Sequence, residues 1–172
     1  MNKNIPTARA QTGAQGTVMA VCTSERKGTR KRNVHQAELL PDWGIIGDAH
    51  AANWHRQVSL LAWESIEKIR ALGLNVNVGS FAENITTQGL SLIDLPVGTR
   101  LRLGDALVEV TQIGKVCHKR CAIYYQAGDC VMPREGIFVQ VHQGGLVKVG
   151  DTVEVLALPQ IPQPDGDPAH GS

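Results

Sequence analysis

Neither sign of charge prevails in this sequence. Seventeen Lys and Arg stand against 16 Asp and Glu, a formal net charge of +1. No global basic field draws nucleic acid or an anionic ligand, so any such attraction must be local. No apolar run approaches the ~20 residues of a membrane span. The polar start "MNKNIPTARAQTGAQG" lacks the apolar core of a signal peptide, and the chain is expected to be cytoplasmic, with neither a membrane nor a nucleic acid as partner. There are only four cysteines. In that compartment they are expected to be free, metal-bound or catalytic rather than disulfide-bonded. A P-loop is absent, and so is any internal repeat.

What is present suits one domain of 172 residues. Residues 1–14, rich in Ala, Thr, Gln and Asn, read as a flexible lead-in. The proline-dense end, 159–172, reads as a disordered tail, because proline at that density joins neither sheet nor helix interiors. The folded part is then 15–158. Within it "GTVMAVCTS" alternates, with Val18, Ala20 and Cys22 on one face and Met19, Val21 and Thr23 on the other. "RQVSLLA", "TRLRLGD", "ALVEVTQIG", "GIFVQVHQG" and "DTVEVLAL" also read as strands, with "LGD" (103–105) and "VGD" (149–151) as tight turns. Short strands so spaced predict a closed or nearly closed barrel. "LAWESIEKIRALG" predicts one helix, with Ala62, Ile66 and Ile69 on its inner face and Gly73 as its stop. Glu64 and Lys68 are expected to pair at i, i+4. A second, shorter helix is expected near Cys117. The fold class is mainly β with a few helices.

Four stretches hold candidate chemistry. "ERKGTRKR" places Arg26, Lys27, Arg30, Lys31 and Arg32 in a Gly-containing loop after a strand, which suits phosphate or another oxyanion, or else a solvated charged loop. "GIIGDAHAANWHRQVSLL" holds Asp48, His50, His55 and Arg56. Carboxylate and imidazole can ligate a metal, orient a ligand or satisfy buried backbone groups. "VGSFAENITTQGL" reads as a polar loop anchored by Phe81, with Glu83 and Asn84 as ligand contacts or turn caps. "KVCHKRC", with Cys130 beyond it, is the richest. On a helix, Cys117, His118 and Cys121 share one face, ringed by Lys115, Lys119 and Arg120. Positive charge stabilises a thiolate, so Cys117 or Cys121 can act as nucleophile, with His118 as proton carrier. Alternatively, Cys117, Cys121 and Cys130, joined by His118, hold Zn or an Fe–S cluster as a non-catalytic sensing module. Burial as small hydrophobes is the third reading, and it suits Cys22 best.

Taken together, "GIIGDAHAANWHRQVSLLAWESI", "GSFAENITTQGL", "IGKVCHKRC" and "GDCVMPREGIFVQVHQGGLVKVGDTVEV" resemble the MOSC domain, named for the C-terminal domain of molybdenum cofactor sulfurase. The resemblance runs over about residues 15–157 and is nearest to small stand-alone bacterial members. It implies a strongly bent β-barrel and a cysteine-centred site that handles sulfur or ligates molybdenum held by a pterin (molybdopterin). A P-C context in one branch aligns with Cys117, and an R-C context in another aligns with Cys121. The larger sulfurases carry a separate pyridoxal-phosphate domain, for which this chain has no room. Any sulfurtransferase-type activity would therefore depend on a cysteine desulfurase or other external sulfur donor, with molybdenum cofactor biosynthesis proteins or molybdoenzymes as further partners. The resemblance favours Lys27, Arg30, Lys31, His50, His55 and Arg56 as cofactor contacts, and Asp48, Glu83, Asn84 and Lys115 are expected beside them.

Overall fold

The structure, a computed structural model, describes residues 10–115, 123 and 131–160. Its strands are β1 (Gln15–Thr23), β2 (Arg32–Asn33), β3 (Gln36–Leu40), β4 (Gly44–Ile45), β5 (Val58–Ala62), β6 (Ile85–Gln88), β7 (Arg100–Leu103), β8 (Ala106–Ile113), β9 (Ile137–Gln143), β10 (Gly145–Lys148) and β11 (Thr152–Ala157). Helix α1 (Trp63–Arg70) follows β5 directly, and a short helical turn spans Met132–Glu135. None of the described helices is long and apolar enough to cross a membrane.

Seven strands close a barrel: β1 pairs with β11, and β7, β8, β9, β5 and β6 lead back to β1. Closure leaves no long unpaired edge in that ring. β2 extends β1, and β10, β3 and β4 form a separate sheet. The barrel is mainly β, as its alternating segments predict. In β7, Leu101 and Leu103 are buried while Arg100 and Arg102 face water. The turns at Gly104-Asp105 and Gly150-Asp151 join β7 to β8 and β10 to β11. Gly13 donates its N–H to Val155 O, and Val155 donates to Ala14 O, so the chain is tied to β11 just ahead of β1. Residues 1–9 and 161–172, and with them most of the expected lead-in and tail, lie outside the described residues.

The β5–β6 pair is parallel, with Leu60 opposite Ile85, while every other described pairing is antiparallel. A parallel pair needs a crossover, and α1 supplies it. Every residue of β5 is buried. Val58, Leu60 and Ala62 enter the barrel core, whereas Leu61 packs in a second cluster with Ile66, Ile69, Phe81 and Phe138. Period-two alternation thus gives β5 two apolar faces, one inside the barrel and one under the helix. Each fully buried Leu or Ile in these clusters contributes ~1.5–3 kcal/mol relative to exposure.

Three expectations need correction. The simple alternation of β1 fails because a bulge falls between Val18 and Ala20. An extra residue there shifts the pleat, so Val18 and Val21 both join the main core. The Glu64–Lys68 pair does not form: Glu64 Oε1 accepts from Gly89 N at 2.8 Å, and Lys68 Nζ reaches Glu135 Oε1 at 2.6 Å. Tertiary partners win because an exposed i, i+4 pair is worth only ~0.3–0.5 kcal/mol. The "ENITTQG" stretch is not only a loop, since residues 85–88 are strand β6 with Thr86 and Thr87 buried. The helix itself ends as expected, with Gly73 at φ +90° and its N–H bonded to Arg70 O.

Candidate functional site

The basic loop after β1 divides its charges. Ser24 and Thr29 hydroxyls both donate to Arg26 O, which folds the loop back on itself. Lys27 is exposed and lines a cavity. Arg30 points elsewhere, donating to Asn75 O and Ser80 Oγ. Lys31 turns inward, and its side chain is fully buried. Its backbone N–H donates to Gly79 O at 2.9 Å. A Cβ on Gly79, which sits at φ +78°, would lie 2.0 Å from Lys31 O, so the close approach demands glycine.

Around the Lys31 ammonium the polar groups converge. Nζ lies 2.6 Å from Asp48 Oδ1, 3.0 Å from His50 Nδ1 and 3.2 Å from Ser24 Oγ. Asp48 also accepts from Ser24 N through Oδ1 and from His50 N through Oδ2. Burial alone would raise the Asp48 pKa, but the hydrogen bond and charge of Lys31 outweigh it and hold the carboxyl below its ordinary range. His50 moves down to about 4, first because it is buried and then because Lys31 repels a second positive charge. It is therefore neutral near pH 7.

His50 faces a cavity of about 330 Å³, within the size range of small-molecule sites. Lys27, Arg56 and Lys115 supply its charge, Ser59 and Asn84 its polar floor, and Trp54 and Phe138 its aromatic walls. Ala82 and Met132 complete the lining. Arg56 is the centrepiece: its guanidinium carbon lies 4.5 Å from the Trp54 ring centroid and 5.6 Å from that of Phe138. Two aromatic contacts hold the cation in place, and its buried Nε has no hydrogen-bond partner among the described residues. The Trp54 indole donates to His50 O, and Gln140 donates to Trp54 O, which pins the loop ahead of β5. Asn84 joins β1 to β5, accepting from Ser59 N and Oγ and donating to Cys22 O.

Of the residues predicted from sequence, Lys27, His50, Arg56, Asn84 and Lys115 meet at this cavity. Lys31 and Asp48 stand behind His50. Arg30, His55 and Glu83 do not line it. His55 is exposed, with Nε2 on Gln112 Oε1 at 2.8 Å and its carbonyl accepting from the Thr111 hydroxyl. Glu83 is fully buried and takes N–H bonds from Gly79 and Phe81 and a hydroxyl bond from Thr86. Burial still leaves its pKa raised. Asp48, His50 and His55 form no metal set, and no group of three or more potential ligands occurs among the described residues. Lys31 occupies Asp48 Oδ1 and His50 Nδ1, and Gln112 occupies His55 Nε2. Cys117, His118, Cys121 and Cys130, together with the expected second helix, lie outside the described residues. Cys22 is buried, and its pKa is pushed up to about 12 by burial and then by the Glu83 charge, so this thiol is inert.

Sequence reasoning missed Trp54, Ser59, Ala82, Met132 and Phe138. Trp54 had a signal, since a chain with three tryptophans places one two residues before an arginine. Phe138 and Met132 had none, because on an alternating strand and beside it they read as core.

Residues 47–154 match the family model described as MOSC domain. Solved structures share the fold. The YuaD protein from Bacillus subtilis aligns with a TM-score of 0.69 at 17% identity, over 82% of this chain and 95% of that one. YiiM from Escherichia coli gives 0.59 at 22%, over 83% and 70%. YiiM from Geobacillus stearothermophilus gives 0.56 at 19%, over 83% and 73%. At such identities the likeness establishes the fold alone. No curated protein sequence matches this chain.

Proposed function

The chain belongs to the MOSC domain family, whose members are associated with molybdenum cofactor-related proteins, and from that membership we propose that its cavity binds a phosphorylated pterin cofactor of molybdenum or tungsten, beside which a cysteine transfers or ligates sulfur. The observation that carries this reading is Arg56, a cation held against the Trp54 and Phe138 rings that lines the cavity together with Lys27 and Lys115. The cavity chemistry fits the group: Lys27, Arg56 and Lys115 match a phosphate, and the Trp54 and Phe138 rings match a flat heterocycle.

When bound, such a cofactor supplies a metal whose ligand sphere can accept sulfur. The chain's own residues bind and orient it. Arg56 offers planar, directed donors, and Lys27 and Lys115 offer mobile point charges. Asn84 and Ser59, locked to each other, give a rigid polar floor. Cys117 and Cys121 follow Lys115 closely in sequence, which supports a reactive thiolate near the cationic rim. In the transfer reading, that thiolate attacks the terminal sulfur of a persulfide on an external donor. A new S–S bond forms on the attacking cysteine, the donor's S–S bond breaks, and the donor cysteine leaves as thiolate.

Mass spectrometry and metal analysis of the untreated protein test the reading. Molybdenum or tungsten with a pterin is expected in the wild type, and Arg56→Ala is expected to lose roughly tenfold or more in cofactor affinity. Cys117→Ala, or Cys121→Ala if that residue reacts, is expected to abolish sulfur transfer. Unchanged binding in Arg56→Ala with full transfer in both cysteine variants would sink the assignment.

A further inference from the structure

We propose that Lys31 is a positioning residue that locks the His50 ring in its Nε2–H tautomer, so that His50 presents the cavity with a neutral, permanent hydrogen-bond donor for an oxyanion. An ammonium has three N–H donors and no lone pair. Lys31 Nζ has three neighbours at hydrogen-bond distance: Asp48 Oδ1, Ser24 Oγ and His50 Nδ1. The Ser24 hydroxyl spends its own hydrogen on Arg26 O at 2.9 Å, so toward Lys31 it can only accept. Asp48 Oδ1 pairs with Nζ at 2.6 Å, with neither side chain reaching solvent.

His50 Nδ1 must therefore bring a lone pair, and the neutral ring carries its hydrogen on Nε2. That nitrogen has no partner among the described residues, and the ring, 30% exposed, lines the cavity. A second ring proton would have to sit on Nδ1, pointing at an ammonium that cannot accept it. Lys27 and Lys115 add positive charge on the cavity side, and among the described residues only Asp48 opposes them. The depressed His50 pKa is what this arrangement requires.

The lock decides what His50 can do. With its hydrogen on Nε2 it is no base toward the cavity, and with its lone pair on Lys31 it is none behind. Its remaining role is recognition: a donor between the cations Lys27, Arg56 and Lys115, suited to an oxygen with lone pairs and ill suited to an amine or amide N–H. The choice of an oxyanion as target rests on the cofactor-binding reading. The tautomer lock does not.

Long-range proton–nitrogen correlation spectra of the full chain, with nitrogen-labelled histidine and no ligand, test the lock. A bare Nδ1 and a protonated Nε2 are expected, holding from about pH 8 down to about pH 5.5, well below the ordinary histidine pKa. Lys31→Met alone strands the Asp48 carboxylate, so the comparison is Lys31→Met with Asp48→Asn. There His50 is expected to titrate nearer its ordinary value and to show both tautomers. A wild-type proton on Nδ1, wild-type titration near the ordinary value, or a double variant indistinguishable from wild type would each overturn the proposal. Inorganic pyrophosphate then probes the donor: the Nε2–H proton is expected to shift on binding while Nδ1 stays bare. Binding that leaves that proton unmoved would overturn the donor role. No binding with the lock intact would uphold the lock and tell against the cofactor reading instead.

Discussion

The Lys31 ammonium and the Asp48 carboxylate meet at 2.6 Å with side chains 0% and 1% exposed, which makes them a fully desolvated ion pair at the back of the cavity. Removing one partner leaves an uncompensated buried charge, whereas removing both charges leaves none. Asp48→Asn is expected to cost ~3–5 kcal/mol, and Lys31→Met with Asp48→Asn is expected to recover much of that. Urea denaturation midpoints of the three proteins check it. A double variant as unstable as the single would mean that the pair stabilises the fold on balance.

Acid should weaken the fold partly through His50. Its folded pKa lies near 4, below the unfolded value near 6.5. Between those values the unfolded chain binds the proton and the folded chain does not, so stability falls as pH falls through that window. Asp48 has the same sign at lower pH: its lowered pKa gives stability present above the unfolded value and lost below. Glu83, with a raised pKa, works oppositely, because the folded chain keeps a proton that the unfolded one releases. The test is therefore a difference. Between about pH 7 and about pH 5, wild type is expected to lose ~1–2 kcal/mol more stability than His50→Gln. Equal losses would remove His50 from the acid response.

Glu83 is expected to act on the cavity through the loop it holds. Its carboxylate accepts from Gly79 N and Phe81 N, and Gly79 O in turn holds Lys31 N. Glu83→Ala strands two N–H groups and is expected to cost ~2–5 kcal/mol. Glu83→Gln keeps one acceptor oxygen and should cost less. Thermal melts would rank them, and the reverse order would contradict the assignment.

Cysteine labelling should be uneven. With its pKa pushed up to about 12 and its side chain buried, Cys22 is expected to resist alkylation in the native protein near neutral pH. Peptide mapping after a short pulse of iodoacetamide checks this. Native-state labelling of Cys22 at the rate seen in denaturant would refute it.

The barrel was legible where one face is wet. Leu101 and Leu103 alternate with arginines and are found inside, and the helix carries its periodicity openly. β6 was hidden because its buried Thr86 looks polar until Glu83 is seen to accept its hydroxyl. The β1 bulge was hidden because no local signal distinguishes Met19 from its neighbours. At the site, Lys27 and Lys31 are nearly identical in sequence setting, yet one lines the cavity and the other is buried. Their difference arises from Gly79 and Asp48, which approach from elsewhere in the chain. Phe138 illustrates the same limit, since only the β5–β9 pairing, with Ser59 opposite Phe138, brings it near Arg56.

The ring is sealed by its first and last strands, with Gln15 opposite Glu154 and Thr17 opposite Thr152. A seam between such distant stretches forms late, because the chain between them must be ordered before the pairing repays the loop entropy. During synthesis, β1 leaves the ribosome long before its partner exists and waits with one side open. A chain ended before Thr152 would expose two adjacent strand edges, β1 and β7, to pairing with other copies of itself, so the last strand guards against aggregation as much as it completes the wall.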